Sequence, residues 1–273
     1  MSPSTTKAGP NVREDVILYV IRGSHACRTG SLMLEHKRIA HRRVVLPTGP
    51  HPMLVRALGF PGHRKPIRSV DGGTPRSLAL LDRLGTVPAL RFGSERVQTN
   101  RAIASFLDRV QPRPSLFPAE PERRRAVEEA QRWGDEVFQM SARRITLAGA
   151  RHGLETLRDR ANDGRLGPLL ARDERARAIN NEIAARMIFR ANTRSEEELL
   201  SELPAQLDQI DAWIGEGILD GPELNAADFL IAPSLALIAY RLDLRAPIEA
   251  RPAGAFVERV LPEPALSGAR TKP

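Results

Sequence analysis

Short apolar runs alternate with amphipathic segments through the first 110 residues, a pattern typical of a mixed α/β domain. The continuous apolar run VILYV at residues 16–20 predicts a strand buried on both faces, because a half-buried strand would alternate apolar and polar positions. A helix from about Ala26 to His36 follows, and RRVVL at residues 42–46 predicts the next strand. The pattern then predicts a short helix at 51–58, one or two helical turns at 76–84, a hairpin of VPALRF and ERVQ around Gly93 and Ser94, and a helix at 99–110.

This order of elements indicates the class of the N-terminal domain. A parallel βαβ unit followed by a hairpin and a closing helix is the thioredoxin-like arrangement. We therefore predict a thioredoxin-like domain over residues 15–110.

The pattern of apolar and polar residues predicts helices throughout the second half of the chain. The segment 111–121 holds four prolines, so it predicts a linker rather than a helix. Helices are predicted after it at about 172–192 and after the capping box SEEE at 195–198. NAADFLIAPSLALIAYRL, with Asn225 as N-cap and Asp228 at N3, is almost wholly apolar and belongs in the middle of an all-α domain. The first long helix of this half carries an apolar stripe at steps of four and three residues: Ala126, Ala130, Trp133, Val137 and Met140.

The predicted organisation is thus an α/β domain followed by an all-α domain at 122–262. Residues 1–14 and 263–273 are expected to be loose tails.

Charge is unevenly distributed along the chain. There are 41 Lys and Arg against 33 Asp and Glu, a formal net charge of +8, and residues 22–68 hold ten basic residues against the single acid Glu35. Aromatic residues make up 4%, too few for a series of rings on which bases stack. We expect a locally basic face that attracts a small anion, and nucleic acid is a less favoured partner.

The single cysteine, Cys27, excludes an intramolecular disulfide and fits a reducing compartment. No apolar run is long enough to span a bilayer, and the polar N-terminus lacks the apolar stretch of a signal peptide. We expect a cytoplasmic protein without membrane contact. The six histidines show no metal-binding spacing, so no metal is predicted.

Four local motifs, in order, resemble those of the glutathione transferase superfamily, and the match runs from about Val16 to about Leu261. They are LYVIRGSHAC, TVPAL, VQTNRAIASFLD and LNAADFLIAPSL. Other fragments, such as GFPG and LFPAEP, resemble a poorly characterised bacterial subgroup. The sequence departs from the family where His25 replaces the usual proline, and where the stretch from Phe60 to Gly85 is longer than in most relatives.

The resemblance implies a thiol site in the first domain. Pro88 would follow a cis peptide bond, and the backbone of Val87 before it would pair with the cysteinyl part of glutathione. Thr99 would seat the γ-glutamyl carboxylate at a helix N-terminus, and Gln98 would add an amide contact. His25 borders the same turn and is a further candidate for contact with the thiol.

Ser24 and Cys27 are the catalytic candidates, each with an alternative role. Ser24 takes the first place of the redox-type turn, where its hydroxyl would donate to a bound thiolate; the alternative is a helix cap alone. Cys27 takes the last place of that turn. It is expected to be a packed thiol rather than the main nucleophile, although a mixed disulfide with a small thiol stays open.

The relatives place an electrophile pocket on the first long helix of the second domain, which gives Trp133, Met140 and Arg144 as candidates here. The implied function is a detoxifying enzyme, a homodimer by analogy, that joins glutathione or another small thiol to a small apolar electrophile. Two alternatives remain: a non-catalytic ligand-binding or interaction module, and glutaredoxin-like reduction through Cys27.

Overall fold

The computed structural model describes residues 15–62, 76–151, 186, 190 and 196–262. In the first part of the chain a four-stranded sheet has the order β2-β1-β3-β4. β1 runs parallel to β2, whereas β3 is antiparallel to both β1 and β4. All five residues of β1 are buried, so the prediction of a strand covered on both faces is confirmed. The strands are β1 (Val16–Val20), β2 (Arg42–Val45), β3 (Ala89–Phe92) and β4 (Glu95–Gln98).

Four helices accompany this sheet, and together they form the expected thioredoxin-like arrangement. They lie close to the predicted positions: α1 (His25–His36), α2 (His51–Ala57), α3 (Arg76–Leu84) and α4 (Asn100–Val110). α1 and α4 begin directly after the side-chain caps Ser24 and Thr99. The predicted tails 1–14 and 263–273, and the segment 63–75, fall outside the described residues.

The second part of the chain is helical wherever the structure describes it. Its elements are α5 (Pro121–Trp133), a π-helical turn (Gly134–Phe138), α6 (Gln139–Arg151), α7 (Glu196–Gly215), α8 (Ala226–Ile238), α9 (Leu242–Glu249) and α10 (Pro252–Val260). The helix predicted at 172–192 and the cap at Ser195 lie outside the described residues. In the part of the chain that is described, no helix is long and apolar enough to cross a membrane.

α8 is the buried centre of the helical part, as its composition predicts. All thirteen of its residues are buried, and the predicted capping box is present. The Asn225 side chain accepts from the Ala227 and Asp228 amides, while Asp228 accepts from the Asn225 amide at 2.7 Å. α8 packs against α1, α5 and α6, so it joins the two parts of the chain.

The predicted apolar stripe is wrong at Val137, whose side chain is 43% exposed. Ala130 and Met140 of the stripe are buried, and Gly134, Phe138 and Ala142 continue from Ala130 as a buried row at successive steps of four. In a regular α-helix three such steps drift by about 120° around the axis. The wider π-helical turn offsets this drift, and therefore presents a different set of side chains on each face.

Candidate functional site

The loop before β3 carries a cis peptide bond between Val87 and Pro88, as expected. It is held from two sides. Gln98 at the end of β4 donates from Nε2 to the Thr86 carbonyl at 3.0 Å. On the other side, a Cβ added to Gly30 of α1 would lie 3.2 Å from Cβ of Pro88, so glycine lets the helix approach the loop closely. The Gln98 side chain is therefore engaged in holding the loop.

Thr99 has an unusual backbone conformation between β4 and α4. Its φ is +71°, a region that a β-branched residue rarely adopts. Its Oγ1 nevertheless accepts from the Ala102 amide at 3.3 Å and caps α4. Strained residues of this kind persist where the surroundings fix them and cluster at ligand sites, which marks Thr99 as a candidate on structural grounds as well.

At the start of α1, Ser24 acts as the N-cap, with Oγ accepting from the Cys27 amide at 3.2 Å. Cys27 is 3% exposed. Burial raises the pKa of the Cys27 thiol, while hydrogen bonds from Ser24 and the Ile21 backbone and the charge of Arg143 act in the lowering direction. These observations favour the packed thiol over the nucleophile.

His25 points away from solvent into the contact between α1 and α8. It is 3% exposed, and its Nδ1 lies 3.1 Å from Oγ of Ser234. Burial, aided by the positive charge of Arg143, holds the pKa of His25 well below its ordinary value, so the ring is neutral near pH 7. The His25 ring therefore bridges α1 and α8.

The cis-proline loop, Thr99 and the first turn of α1 border one cleft, here called the first cleft, with a cavity volume of about 40 Å³. The candidates Ser24, His25, Cys27 and Gln98 are not among its lining residues. Two buried polar atoms of its lining, Asn100 Oδ1 and Gln139 Nε2, have no hydrogen-bond partner among the described residues. A ligand with matching groups would satisfy them. The lining comprises Ala26, Thr86, Val87, Pro88, Thr99, Asn100, Asp135, Gln139 and Arg143.

A second cleft adjoins the first between α4 and α5, and the two share Thr99 and Asp135. It is larger, with a cavity volume of about 530 Å³. Ion pairs from Glu136 to Arg101 at 3.0 Å and to Arg132 at 3.2 Å cross its rim. The π-helical turn thus contributes acidic side chains to both clefts.

This arrangement matches solved structures across nearly the whole chain. A glutathione transferase from Phanerochaete chrysosporium superposes with a TM-score of 0.59 and 17% identity, covering 93% of this chain and 99% of that one. A glutathione S-transferase of Ceriporiopsis subvermispora, in complex with glutathione, gives 0.58 and 14%, covering 90% and 96%. A GST-like protein from Pseudomonas syringae gives 0.57 and 18%, covering 91% and 67%. The chain has the glutathione transferase fold.

By sequence, neither a family model nor a curated protein matches the chain. At identities of 14 to 18% the structural matches establish the fold and leave activity to be argued from the site.

Within this fold, the three residues predicted for an electrophile pocket do not border either cleft described above. Trp133 is half-buried in an aromatic cluster, stacked on Phe138 and edge-on to Trp213, with ring centroids 5.2 Å apart in both pairs. Met140 and Arg144 are buried, at 5% and 2% exposure. A pocket formed by these three residues stays a prediction.

The structure adds residues that sequence reasoning missed. Asn100 directly follows the identified cap, so it could have been found as the first residue of α4. Asp135, Gln139 and Arg143 recur at steps of four, which places them along one helix face, but the sequence holds no motif that assigns this polar row to a cleft. Across the described ranges, no group of three or more His, Cys, Asp and Glu is placed to hold a metal ion.

Proposed function

We propose that the chain is a glutathione transferase-like enzyme that joins a small thiol, with glutathione as the first candidate, to a small apolar electrophile. The observation that carries this proposal is the first cleft. It brings the cis-proline loop, the cap of α4 and the first turn of α1 to one place.

The cleft offers complementary groups to a γ-glutamyl peptide. The Thr99 hydroxyl and the free amides at the start of α4 favour a carboxylate, because a helix N-terminus attracts negative charge. The carboxylate of Asp135, which lines the same cleft, suits the α-ammonium group. Val87 lies just before β3 and presents its backbone to an extended peptide that would add as a short strand.

In this arrangement the thiol sulfur lies at the first turn of α1. Loss of its proton to solvent gives a thiolate, which the N-terminus of α1 and the Ser24 hydroxyl stabilise. The sulfur then forms a bond to the electrophilic carbon. In a substitution this carbon releases its leaving group with the bonding electron pair. In an addition to an activated double bond, the neighbouring carbanion takes up a proton from solvent.

Support for glutathione comes from the Ceriporiopsis subvermispora protein of the same fold, whose structure contains it. A second low-molecular-weight thiol would fit the same polar groups. The homodimer, the cytoplasmic location and the detoxifying role are further parts of this proposal.

The first test is calorimetric titration of the wild type and of Thr99→Ala with reduced glutathione. We expect the wild type to bind at millimolar affinity or tighter. Thr99→Ala should weaken binding by about tenfold or more, since a hydrogen bond to a charged group contributes about 1.5–3 kcal/mol.

Thr99→Ser is the matched control, because it keeps the hydroxyl and the cap and should retain affinity within about threefold. Circular dichroism establishes that each variant is folded at the assay temperature. Absence of glutathione binding by the folded wild type contradicts glutathione as the ligand. Equal affinities of wild type and Thr99→Ala contradict the placement of the carboxylate.

A further inference from the structure

Arg143 is held in a defined position over the first cleft. It lies four residues after Gln139 on α6, and its Nη2 donates to Gln139 Oε1 at 2.6 Å. Gln139 is itself 4% exposed, so the acceptor is fixed by packing. Both side chains line the first cleft. The hydrogen bond to a buried partner therefore fixes the position of the Arg143 guanidinium group.

The first turn of α1 borders the same cleft as Arg143. Ala26 belongs to that turn and lines the same cleft. The charge of Arg143 lowers the pKa of both His25 and Cys27, the neighbours of Ala26, so its field reaches this turn. No other basic side chain contributes to both shifts.

The other basic side chains near this turn do not line the first cleft: Arg22, two residues before Ser24, is exposed and is not among the lining residues. His25 is neutral near pH 7 because of burial. Arg28, one residue beyond Cys27, forms an ion pair with Glu35 at 2.8 Å, which offsets its charge. Asp135 lines the cleft with the opposite sign and would oppose a thiolate.

We propose that Arg143 is the side chain that stabilises the thiolate of the bound thiol, by placing a fixed positive charge in the first cleft, which the first turn of α1 also borders. This inference rests on the proposed function. A helix N-terminus carries about half an elementary charge, whereas a guanidinium carries a full one and stays protonated. Ser24 then orients the sulfur, and Arg143 sets how readily it loses its proton.

A test that needs no ligand uses a thiol built into the turn itself. In a Cys27→Ala, Ser24→Cys background the chain holds one thiol, at position 24, and the pH profile of its alkylation by iodoacetamide reports its pKa. Adding Arg143→Gln should move the midpoint up by about one pH unit, since an opposite charge nearby typically shifts a pKa by 1–3 units. Arg143→Lys should restore most of the difference.

Arg28→Gln in the same background is the matched control, because it removes an equal charge that is closer in sequence but does not line the first cleft, and whose ion pair with Glu35 lies towards the C-terminal end of α1. It should leave the midpoint unchanged. A midpoint that does not move in Arg143→Gln overturns the inference, and so does an equal shift in Arg28→Gln.

The second arm follows bound glutathione by the ultraviolet absorbance of its thiolate, with Ser24 and Cys27 intact. The thiol pKa should be higher in the complex with Arg143→Gln than in the wild-type complex, while S-methylglutathione, which has no thiol, should bind both within about threefold. Equal pKa values in the two complexes overturn the inference. Failure of the wild type to bind glutathione overturns the proposed ligand instead, and the titration at position 24 then decides the role of Arg143.

Discussion

Cys27 lies in the first turn of α1, where a helix N-terminus ordinarily lowers the pKa of a thiol. Burial acts in the opposite direction and is the larger influence. The reactive form of a cysteine is the thiolate, and a side chain that is 3% exposed is also shielded from a disulfide partner. Both conditions disfavour mixed-disulfide chemistry at this residue.

We therefore expect native protein incubated with oxidised glutathione to gain no adduct, as measured by intact-protein mass spectrometry. The same protein in denaturant should be modified at Cys27, because unfolding exposes the thiol. An adduct that forms on the native protein and is lost in Cys27→Ser would instead favour the glutaredoxin-like alternative.

For single residues, the sequence predicted those roles that depend only on the backbone conformation of a few adjacent residues. Ser24, Pro88 and Thr99 were located because caps and the cis-proline loop depend on a few adjacent residues. Cys27 was expected to be packed, and it is buried. The surroundings of His25 were not predicted, because its partner Ser234 lies on α8, some two hundred residues away.

At the scale of elements, the π-helical turn brings an acidic side chain to the cleft. It contributes Asp135 to the lining, one and two helical turns before Gln139 and Arg143 of α6. The wider repeat also explains why a regular helical pattern placed Val137 inside, whereas this residue is 43% exposed. A change in helical repeat of this kind comes from packing against α8, which a periodicity argument along one segment does not include.

Gly134 makes that packing possible. A Cβ at this position would lie 2.6 Å from Cδ2 of Leu230 and 3.0 Å from Cγ1 of Ile231. We expect Gly134→Ala to lower the free energy of unfolding by about 1–3 kcal/mol through overpacking, which exceeds the gain of about 1 kcal/mol from helix propensity. Urea denaturation measures the first effect, and glutathione titration should show weaker binding as the lining of the cleft moves.

Gly215→Ala is the matched control. This glycine ends α7, and an added Cβ would have no atom within 4 Å. Its unfolding free energy and glutathione affinity should equal or exceed those of the wild type. A Gly134→Ala protein as stable as this control would contradict the role assigned to the contact with α8.

At the scale of the whole molecule, buried polar contacts join the two parts of the chain. His25 of α1 meets Ser234 of α8 at 3.1 Å. Lys37, whose side chain is fully buried, pairs with Asp108 of α4 and donates to the Gln111 carbonyl of the linker at 2.7 Å. Because α8 packs against elements of both parts, we expect a change in the stability of α8 to change the free energy of unfolding of the whole chain.

The capping box of α8 makes that stability depend on pH. Burial raises the pKa of Asp228 to about 7, although the amides of Asp220 and Asn225 donate to its carboxylate and lower it. Between the unfolded pKa near 3.8 and the folded value, the native state holds a proton that the unfolded chain has released. The contribution of Asp228 is thus complete below about pH 4 and is lost as pH rises towards 7.

His25 acts with the opposite sign, since its lowered pKa removes stability as pH falls below about 6.5. The contribution of Asp228 must therefore be measured as the difference in unfolding free energy between the wild type and a variant that lacks this carboxylate.

We expect the unfolding free energy of the wild type, minus that of Asp228→Asn, to fall between pH 4 and pH 7, by at most about 1.4 kcal/mol per pH unit for one proton. Asparagine keeps the size of the side chain and does not titrate, so His25 and all other groups cancel in the difference. Urea denaturation at a series of pH values gives both curves. A difference that is flat, or that grows with pH, would show that the carboxylate is already ionised in the native capping box, stabilised by the two amides that donate to it.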